Sequence, residues 1–398
     1  MKMNEDRKAF ALAGLLAACA LAAPWAAGAA KIRVPANYPT IQAAVTAAAP
    51  GDIVLVSAGT YREPQIVIDK PLMVLGADAD VTIIDGGSAS LSAEGLVRIT
   101  AGGNVVLSGF TLQNAGASGG VTVGLFASSP VAGSRYTITD NKIIGSRDPN
   151  NAQDYGVYAY GGLENFVFEE NAVTGTGANA VLIELHAGPT DISDNTLDVG
   201  VYGADAIFTM TYGGLDVTTV QRRNNNVINV GTGGPFDAVH RATGITFASA
   251  FSGGGGDGKF TSVQIMRNTI YNVEAQRRGI SLWNDDTANP PGGDIVSPQV
   301  VGNVIRGVDD DPGSAGIQLL GLVSDAKVIN NHLADLDVGI HLRDWFGFAP
   351  RDTKVIANRF QDVGTPVSID PGTEGTKEHE HHQLAVDTQQ HADRLIAP

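Results

Sequence analysis

Residues 316–342 read GIQLLGLVSDAKVINNHLADLDVGIHL, and this stretch contains one full period of the repeat on which the fold depends. A small residue followed by Ile317 opens the period, an Asn-x-apolar phrase stands in the middle at Asn331, and a small residue followed by Ile340 begins the next period. Between these positions apolar and polar residues alternate, as in short β-strands with one buried side. A repeat of this length indicates a solenoid, a propeller or a repeat array.

Both phrases recur along most of the chain. The Asn phrase returns at intervals of 24 to 42 residues, and the asparagines that we assign to it are Asn141, Asn171, Asn195, Asn226, Asn268, Asn303, Asn331 and Asn358. The small-residue phrase alternates with it, and its branched residues are Val157, Val181, Ile207, Ile245, Ile280, Ile317 and Ile340. We expect the Asn residues to adopt left-handed turns and their stacked amides to form hydrogen-bonded ladders.

The same periodicity excludes several repeat architectures. Long helical periodicity is almost absent, so ankyrin, TPR and HEAT arrays are excluded, and the blade signatures of a propeller are missing. A left-handed β-helix would require a hexapeptide rhythm, which the sequence lacks. The sequence therefore predicts an all-β protein that folds as a right-handed parallel β-helix.

The composition is that of a folded, acidic protein with almost no cysteine. Of the 398 residues, 43% are hydrophobic and 17% are charged, which excludes collagen and intrinsic disorder. The formal net charge of −16 makes nucleic acid and anionic membrane surfaces unfavourable partners. Because Cys19 is the only cysteine, the chain forms no internal disulfide.

Residues 1–29 are predicted to be a secretory signal peptide. Three basic residues precede an apolar run at Ala9–Ala23, and Ala27-Gly28-Ala29 is a small-residue cleavage pattern. The run is short and Ala-rich, which argues against a transmembrane anchor. A lipoprotein box that ends at Cys19 is the alternative, with a lipid attached to that cysteine. We expect a secreted or periplasmic protein, with an outer-envelope lipoprotein as the alternative.

The segment after the signal peptide carries the most specific resemblance. Residues 38–45 (YPTIQAAV), 50–56 (PGDIVLV) and 59–63 (GTYRE) resemble the beginning of pectin-lyase-like right-handed β-helix proteins, a superfamily that includes NosD-like periplasmic proteins and many secreted polysaccharide enzymes. The resemblance covers roughly residues 31–371. It implies an amphipathic helix over about Thr40–Ala49 that closes the end of the solenoid, because an exposed β-helix end is an aggregation edge.

The resemblance predicts a simple domain organisation. Residues 30–60 form the N-terminal cap and first coil, residues 61–371 form the parallel β-helix, and residues 372–398 form a polar, His-rich tail. The motifs of pectin methylesterases, polygalacturonases and Asp-Pro-His-Asp alginate epimerases are missing, so the resemblance carries the architecture and no single reaction.

Strand alternation predicts two patches on the outer face of the sheet that contains the small-residue phrase. The smaller patch consists of Tyr158, Tyr160, Glu184 and His186. The larger patch consists of Trp283, Asp285, His341, Arg343 and Trp345. Adjacent coils lie about 4.8 Å apart, so Glu184 and His341, five coils apart, are separated by about 24 Å and cannot share one catalytic centre. Trp283 and Arg343, two coils apart, are separated by about 10 Å and can flank one sugar unit.

Turns and insertions beside the larger patch add further candidates. His240, Arg241, Arg277, Arg278 and the run Asp309, Asp310 and Asp311 lie just before the same strand in successive coils. Gly- and Pro-rich insertions follow that strand, and insertions on one side of a solenoid commonly form binding walls. The resemblance implies that substrates lie along this sheet.

These residue types are suited to chemistry on a polysaccharide. A lyase or epimerase needs a base beside a uronate carboxyl group and a cation that stabilises the resulting anion. The candidate catalytic residues are Arg343, His341, Asp285, Arg278 and His240. Candidate substrate contacts are Trp283, Trp345, Arg241, Arg277, Tyr158, Tyr160, Glu184 and His186. Candidate ligands for Ca²⁺ are Asp285, Asp286, Asp309, Asp310 and Asp311.

Three classes of function remain open from the sequence. The first is a polysaccharide-active enzyme, with lyase or epimerase chemistry ahead of hydrolysis, which would need two carboxyl groups at a set separation. The second is a noncatalytic glycan-binding or envelope scaffold protein. The third is a NosD-like periplasmic metal-handling factor, for which the segment at Lys377–His382 supplies histidines. The glycan, the bond and the oligomeric state are not determined by the sequence.

Overall fold

The computed structural model describes residues 28–87, 94–115, 120–126, 133–145, 154–161, 165–185, 188–198, 205–211, 216–230, 242–249, 258–274, 276–284, 294–308, 313–345, 347–379 and 381–384. Within these residues the chain winds as a right-handed parallel β-helix with three faces, as predicted. Each face is a stack of short parallel strands contributed by successive coils. Residues 1–27 of the predicted signal peptide, which include Cys19, lie outside the described residues.

The first face is a 15-stranded parallel sheet that begins with the first strand of the described chain. Its strands are β1 (Lys31–Val34), β2 (Ile53–Val56), β5 (Leu72–Gly76), β8 (Val105–Ser108), β11 (Arg135–Thr139), β14 (Asn165–Glu169), β17 (Thr190–Ser193), β20 (Val217–Arg223), β23 (Phe260–Met266), β26 (Ile295–Val296), β27 (Gln299–Val301), β30 (Val323–Ser324), β31 (Lys327–Ile329), β33 (Lys354–Ile356) and β35 (Lys377–His379).

The second face follows the turn at each recurring Asn. Its strands are β3 (Gly59–Arg62), β6 (Thr82–Asp85), β9 (Thr111–Gln113), β12 (Lys142–Ile144), β15 (Ala172–Thr174), β18 (Thr196–Asp198), β21 (Asn226–Ile228), β24 (Thr269–Val273), β28 (Val304–Gly307), the first parts of β32 (His332–Arg343) and β34 (Arg359–Ile369), and β36 (His382–Leu384). The two long strands bend from this face into the next and join both faces into one 21-stranded sheet.

The third face carries the small-residue phrase. Its strands are β4 (Ile66–Ile68), β7 (Val97–Ile99), β10 (Val123–Leu125), β13 (Val157–Tyr160), β16 (Val181–Glu184), β19 (Ile207–Thr211), β22 (Thr243–Ser249), β25 (Arg278–Asn284), β29 (Ala315–Leu320) and the last parts of β32 and β34. The branched residue of every copy of the phrase is fully buried in the core. The preceding residue is small because a Cβ atom at Gly316 would lie 2.8 Å from the carbonyl oxygen of Gly339 in the next coil.

A buried Asn ladder runs along the corner between the first and second faces. In each step, Nδ2 of one Asn donates to Oδ1 of the next at 2.9 to 3.2 Å, which confirms the expected amide stack. The fourth member is Asn225, so the assignment of Asn226 was wrong by one residue. Asn226 instead begins β21, because only Asn225 keeps its amide inside the corner.

The left-handed turn conformation was expected for the ladder residues themselves, and this expectation was wrong. It is adopted by the residue just before each ladder member, for example Asp140 (φ 54°) before Asn141 and Asn224 (φ 52°) before Asn225. The turn residue points outward and varies in type. The residue that follows it is Asn in every step of the ladder, because its side-chain amide must both donate and accept a hydrogen bond inside the corner.

A short helix, α1 (Ile41–Ala47), closes the N-terminal end of the solenoid, within the predicted span. The Thr40 side chain accepts a hydrogen bond from the Ala43 amide, and the Glu63 carboxylate accepts from the Ile41 and Gln42 amides at 2.6 and 2.8 Å. Ile41 and the apolar side of α1 are buried against the first coil. Across the described residues, we find no helix long and apolar enough to span a membrane.

The solenoid continues beyond residue 371, where the sequence predicted a tail outside the repeat. Strand β35 pairs with β33, and β36 pairs with β34, so one further coil is present. The three side chains of β35 in this coil, Lys377, Glu378 and His379, are polar and exposed. His379 and His382 are exposed, and His381 packs its ring against Phe360 at 5.6 Å. The described part of this coil holds no group of three metal-ligating side chains.

Candidate functional site

The strand register of the third face brings several predicted residues together on its outer side. One outward row runs through Thr246, Ser281, Gln318 and His341 in four successive coils. A second row, two residues further along each strand, runs through Trp283, Leu320 and Arg343, and then reaches Asp370 at the end of β34. Trp283 and Arg343 are therefore two coils apart.

Part of the first outward row is covered. Thr246, Ser281 and Gln318 point outward but are at least nine-tenths buried.

His341 is held by a carboxylate in the next coil. Its Nε2 lies 3.0 Å from Oδ1 of Asp370, and the other carboxylate oxygen of Asp370 accepts a hydrogen bond from the Asp344 amide at 3.2 Å. Both side chains remain partly exposed, at 21% and 31%. A histidine whose ring is fixed on one side by a carboxylate can exchange a proton through its other nitrogen.

Two arginines lie on the same face: Arg343 is two residues after His341 on β32, and Arg278 begins β25, two coils earlier. The Arg278 guanidinium donates through Nη1 to the carbonyl oxygens of Gln276, Arg277 and Gly313 at 2.8 to 3.0 Å. Burial lowers the pKa of Arg278 to about 10, and the nearby positive charge of Arg343 contributes to the shift. In the described part of the chain neither Arg278 nor Arg343 forms an ion pair. The protein is strongly acidic, yet among its described residues these two positive charges have no ion-pair partner.

Buried hydrogen-bond donors lie in the same outward rows. Gln318 is 5% exposed, and its Nε2 has no acceptor among the described residues. The indole Nε1 of Trp283 is likewise buried and has no acceptor there. A buried donor without a partner costs roughly 1 to 3 kcal/mol, so such groups are usually satisfied by a bound molecule or by water.

Trp345 supports Arg343. The Cζ atom of Arg343 lies 5.9 Å from the centre of the Trp345 ring, which is within the range of a cation–π contact. The backbone of Trp345 forms a two-way hydrogen-bonded bridge with Phe348 at 2.7 and 3.1 Å, so the indole is part of a fixed turn. Trp345 thus orients the arginine in addition to presenting an aromatic surface.

Other predicted site residues are placed elsewhere. Arg277 is 3% exposed, so its side chain is buried beside Arg278 and does not present a surface contact as predicted. The remaining candidates lie outside the described residues; they are His186, His240, Arg241, Asp285, Asp286, Asp309, Asp310 and Asp311. Among the described residues no group of three His, Cys, Asp or Glu side chains is arranged to hold a metal ion. The predicted Ca²⁺ site therefore stays a prediction.

The smaller patch is an aromatic group that we call the tyrosine cluster, formed by Phe126, Tyr155, Tyr158 and Tyr160 together with Glu184. The Tyr158 hydroxyl donates to Oε2 of Glu184 at 2.6 Å. Its ring lies 5.5 Å from those of Phe126 and Tyr155 and 6.1 Å from that of Tyr160. The cluster lies on the same outer face, and Glu184 is five coils from His341, as the alternation predicted.

Two carboxyl groups of interest were missed by the sequence analysis. Asp370 directly follows β34 and is 29 residues beyond His341 in the sequence, so only the strand register shows that the two side chains meet.

The second carboxyl group is that of Asp205. It is 8% exposed, lies just before β19 and accepts a hydrogen bond from the Thr243 amide at 2.8 Å. Burial raises the pKa of Asp205 to about 7. Thr243 pairs with Arg278, so Asp205 is two coils from that arginine.

Comparison with known proteins supports the fold and leaves the family open. No protein-family model matches the chain, and no curated protein matches its sequence. The A-module of mannuronan C-5 epimerase AlgE4 from Azotobacter vinelandii has a similar structure, with a TM-score of 0.56 and 15% identity over 84% of this chain and 87% of that chain. The AlgE6 A-module from the same organism gives a TM-score of 0.53 and 13% identity over 87% and 94%.

A hydrolase shares the architecture as well. The catalytic unit of the GH87 α-1,3-glucanase from Streptomyces thermodiastaticus strain HF3-3 gives a TM-score of 0.56 and 15% identity over 91% of this chain and 70% of that chain. At such low identities the similarity establishes the β-helix fold alone.

Proposed function

We propose that this protein binds an acidic polysaccharide along the outer side of the third face and acts on it by proton abstraction, as a lyase or an epimerase. The observation that carries the proposal is the carboxylate-held His341 on the same face as Arg278 and Arg343, which form no ion pair among the described residues. Three structural neighbours named above are carbohydrate-active enzymes, two of them epimerases, and this supports a glycan as the ligand. The predicted signal peptide would place the protein in the periplasm or outside the cell.

The two arginines supply the charge that the reaction needs. The carboxylate of a uronate unit placed between Arg278 and Arg343 would be neutralised by both guanidinium groups. Neutralisation makes the C5 proton of the sugar more acidic, because the negative charge that develops on its loss is delocalised onto that carboxylate. Ca²⁺ held by the predicted Asp ligands would add to this effect, although the described residues contain no group of three His, Cys, Asp or Glu side chains that could hold it by themselves.

His341 then serves as the base and Asp370 as its positioning residue. In a lyase, the C5–H bond breaks and its proton passes to the imidazole. The electron pair forms a C4–C5 double bond, and the C4–O bond breaks with its electrons on the leaving oxygen, which takes up a proton. In an epimerase, C5 instead receives a proton from the opposite side of the ring, and the chain remains intact. Hydrolysis is less well supported, because Asp370 is engaged with His341.

An activity screen of the mature protein tests this function. Neutral and uronic polysaccharides are incubated with Ca²⁺ or with EDTA while unsaturated-uronate absorbance, new reducing ends and the C5 configuration are followed. We expect absorbance or epimerised units on an acidic polymer, abolished in Arg343→Ala and retained in Arg359→Ala, whose arginine is exposed on the second face. Reducing ends without absorbance would reassign the protein as a hydrolase. Binding without any product would make it a glycan-binding scaffold.

A further inference from the structure

The tyrosine cluster is an exposed aromatic surface that the proposed reaction does not use. Tyr160 is 40% exposed, one of the most exposed large hydrophobic side chains among the described residues, and its ring packs against Tyr158. Beneath them, the inward-facing Val157 and Ala159 already fill the core and are fully buried. The cluster therefore lies outside the core as a second layer. An aromatic ring with one face toward solvent is suited to stacking on the C–H face of a pyranose ring.

The charge around the cluster differs from that around the arginines. The described outward positions of β10, β13, β16 and β19 include the carboxylate of Glu184 and no basic side chain. In the coil just before the cluster, Arg98 is paired with Glu94 at 2.7 Å. The proximity of Glu184 also contributes to raising the pKa of the Tyr155 hydroxyl, after burial. A second carboxylate from a uronate would be repelled here, whereas a sugar hydroxyl can donate to Glu184.

The cluster lies in line with the arginine site. Tyr158 and His341 occupy the same outward row six coils apart, so about 29 Å separates them along the solenoid. A pyranose ring with its linkage is about as long as one coil spacing of roughly 4.8 Å. A glycan that passes over the covered residues between the two sites needs about six or more sugars to reach both.

We propose that the tyrosine cluster is a remote subsite that binds uncharged sugar units, so that the substrate is a heteropolysaccharide with uncharged units about six sugars from the acidic unit that reacts. This inference rests on the proposed function for its second half. Its first half, the binding of uncharged sugars, is independent of any reaction. The two sites bind different sugar units. Arg278 and Arg343 bind an acidic sugar, and Tyr158, Tyr160 and Glu184 bind an uncharged sugar.

Binding of uncharged hexasaccharides tests the inference directly. Cellohexaose, xylohexaose, mannohexaose and a hexauronate are titrated calorimetrically into the full mature protein and three variants. We expect at least one neutral hexasaccharide to bind, Tyr160→Ala to weaken it about tenfold, and Tyr160→Phe to retain it because the ring is kept. The control is Tyr271→Ala, which removes a tyrosine of similar exposure, 38%, from the second face and should change nothing.

Glu184→Gln provides a test of the charge argument. The amide keeps the shape of the side chain but removes the repulsion, so we expect binding of the hexauronate at the cluster to strengthen several-fold. If none of the neutral hexasaccharides binds the unaltered protein, or if Tyr160→Ala binds them as tightly as the unaltered protein does, the inference is overturned.

The two proposals fail in distinguishable ways. Product formed equally by the unaltered protein and Tyr160→Ala at every chain length would remove the subsite and leave the proposed function intact. Neutral-sugar binding lost in Tyr160→Ala, without product from any polymer, would leave the subsite and remove the proposed reaction. If both hold, Tyr160→Ala raises KM for long chains about tenfold, leaves kcat nearly unchanged and does not affect substrates shorter than about six sugars.

Discussion

The imidazole of His341 and the carboxylate of Asp370 meet across two adjacent coils, with Nε2 and Oδ1 3.0 Å apart. The contact fixes the ring and leaves Nδ1 as the nitrogen for proton exchange with a ligand. The same contact joins Asp370, which directly follows β34, to the outward row that contains Gln318 and His341. Solenoid folds suit this arrangement, because each coil adds one residue to a row at a nearly constant spacing.

Replacing Asp370 by Asn should reduce turnover while preserving binding. The amide retains the size of the side chain but no longer stabilises a charged imidazole, so we expect kcat on the acidic polymer to fall about 100-fold with KM within a factor of three. Steady-state kinetics over pH 5 to 9 would measure both. The matched control is Asp325→Asn, an exposed left-handed turn position that Asn tolerates well. Equal losses in the two variants would contradict a positioning role.

The Asn ladder predicts a sharp difference between two neighbouring residues. Asn225→Ala removes buried hydrogen bonds to the Asn195 and Asn268 side chains and to the Ile192 carbonyl, so we expect a loss of about 3 kcal/mol or more in the free energy of unfolding. Asn226→Ala, at the partly exposed start of β21, should cost less than about 1 kcal/mol. Urea denaturation of both variants measures this, and similar midpoints would contradict the register described above.

Asp205 predicts a pH dependence of stability. The pKa of its carboxyl group is raised by burial from an ordinary value of 3.8 to about 7 in the folded protein. Between about pH 4 and pH 7 the folded state therefore holds a proton that the unfolded chain has released, so the free energy of unfolding falls as the pH rises through this window. Asp205→Asn lacks this titration. Its stability relative to the unaltered protein should rise by up to about 4 kcal/mol from pH 4 to pH 8.

Thermal melts at intervals of half a pH unit would follow the effect of Asp205. Asp352→Asn, which removes a carboxyl group at an exposed position with a left-handed backbone, is the matched control. A constant difference between Asp205→Asn and the unaltered protein from pH 4 to pH 8 would refute the assignment of the raised pKa.

Arg222 is a buried cation whose role is testable by its replacement. It is fully buried inside the solenoid, donates to Thr190 Oγ1 and Thr209 Oγ1 at 2.9 and 2.8 Å, and lies 5.3 Å from the centre of the Phe247 ring. Burial lowers its pKa to about 9. Because desolvation offsets much of the gain from these contacts, we expect Arg222→Met to change the free energy of unfolding by less than about 1 kcal/mol or to increase it.

The cavity left by a smaller residue should cost more at the same position. Arg222→Ala is expected to lose about 3 kcal/mol in the same urea experiment, because the interior cannot collapse onto the missing side chain. A methionine variant as unstable as the alanine variant would show that the charge and its hydrogen bonds stabilise the fold.

The sequence predicted the fold well because each coil repeats the same physical requirements. The buried Ile340 and the small residue before it follow from close contact between coils, and both are visible as a phrase. The run Asn224-Asn225-Asn226 was ambiguous, because three consecutive amides leave open which one turns inward. The polar β35 was not recognised as a strand, because Lys377, Glu378 and His379 lack the alternation of apolar and polar residues that marks the others.

The site was predicted only in part, for a related reason. Alternation placed His341, Arg343 and Trp283 on the outer face, because outward direction is a property of each strand. Asp370 depends on how two coils of different length meet, and the sequence spacing does not determine that contact. Burial of outward residues such as Gln318 depends on what covers the face, which strand periodicity does not describe.

The central claim is proton abstraction from an acidic sugar at the His341–Arg343 site, and hydrogen exchange tests it most directly. Uronic polysaccharides are incubated with the mature protein in D₂O, and the C5 position is followed by NMR. Lyases and epimerases both break the C5–H bond, whereas hydrolases do not. We predict loss of the C5 proton or deuterium incorporation with the unaltered protein, and at least a 100-fold slower change with His341→Ala. An unchanged C5 proton on every acidic polymer, or exchange equally fast in His341→Ala, would contradict the account.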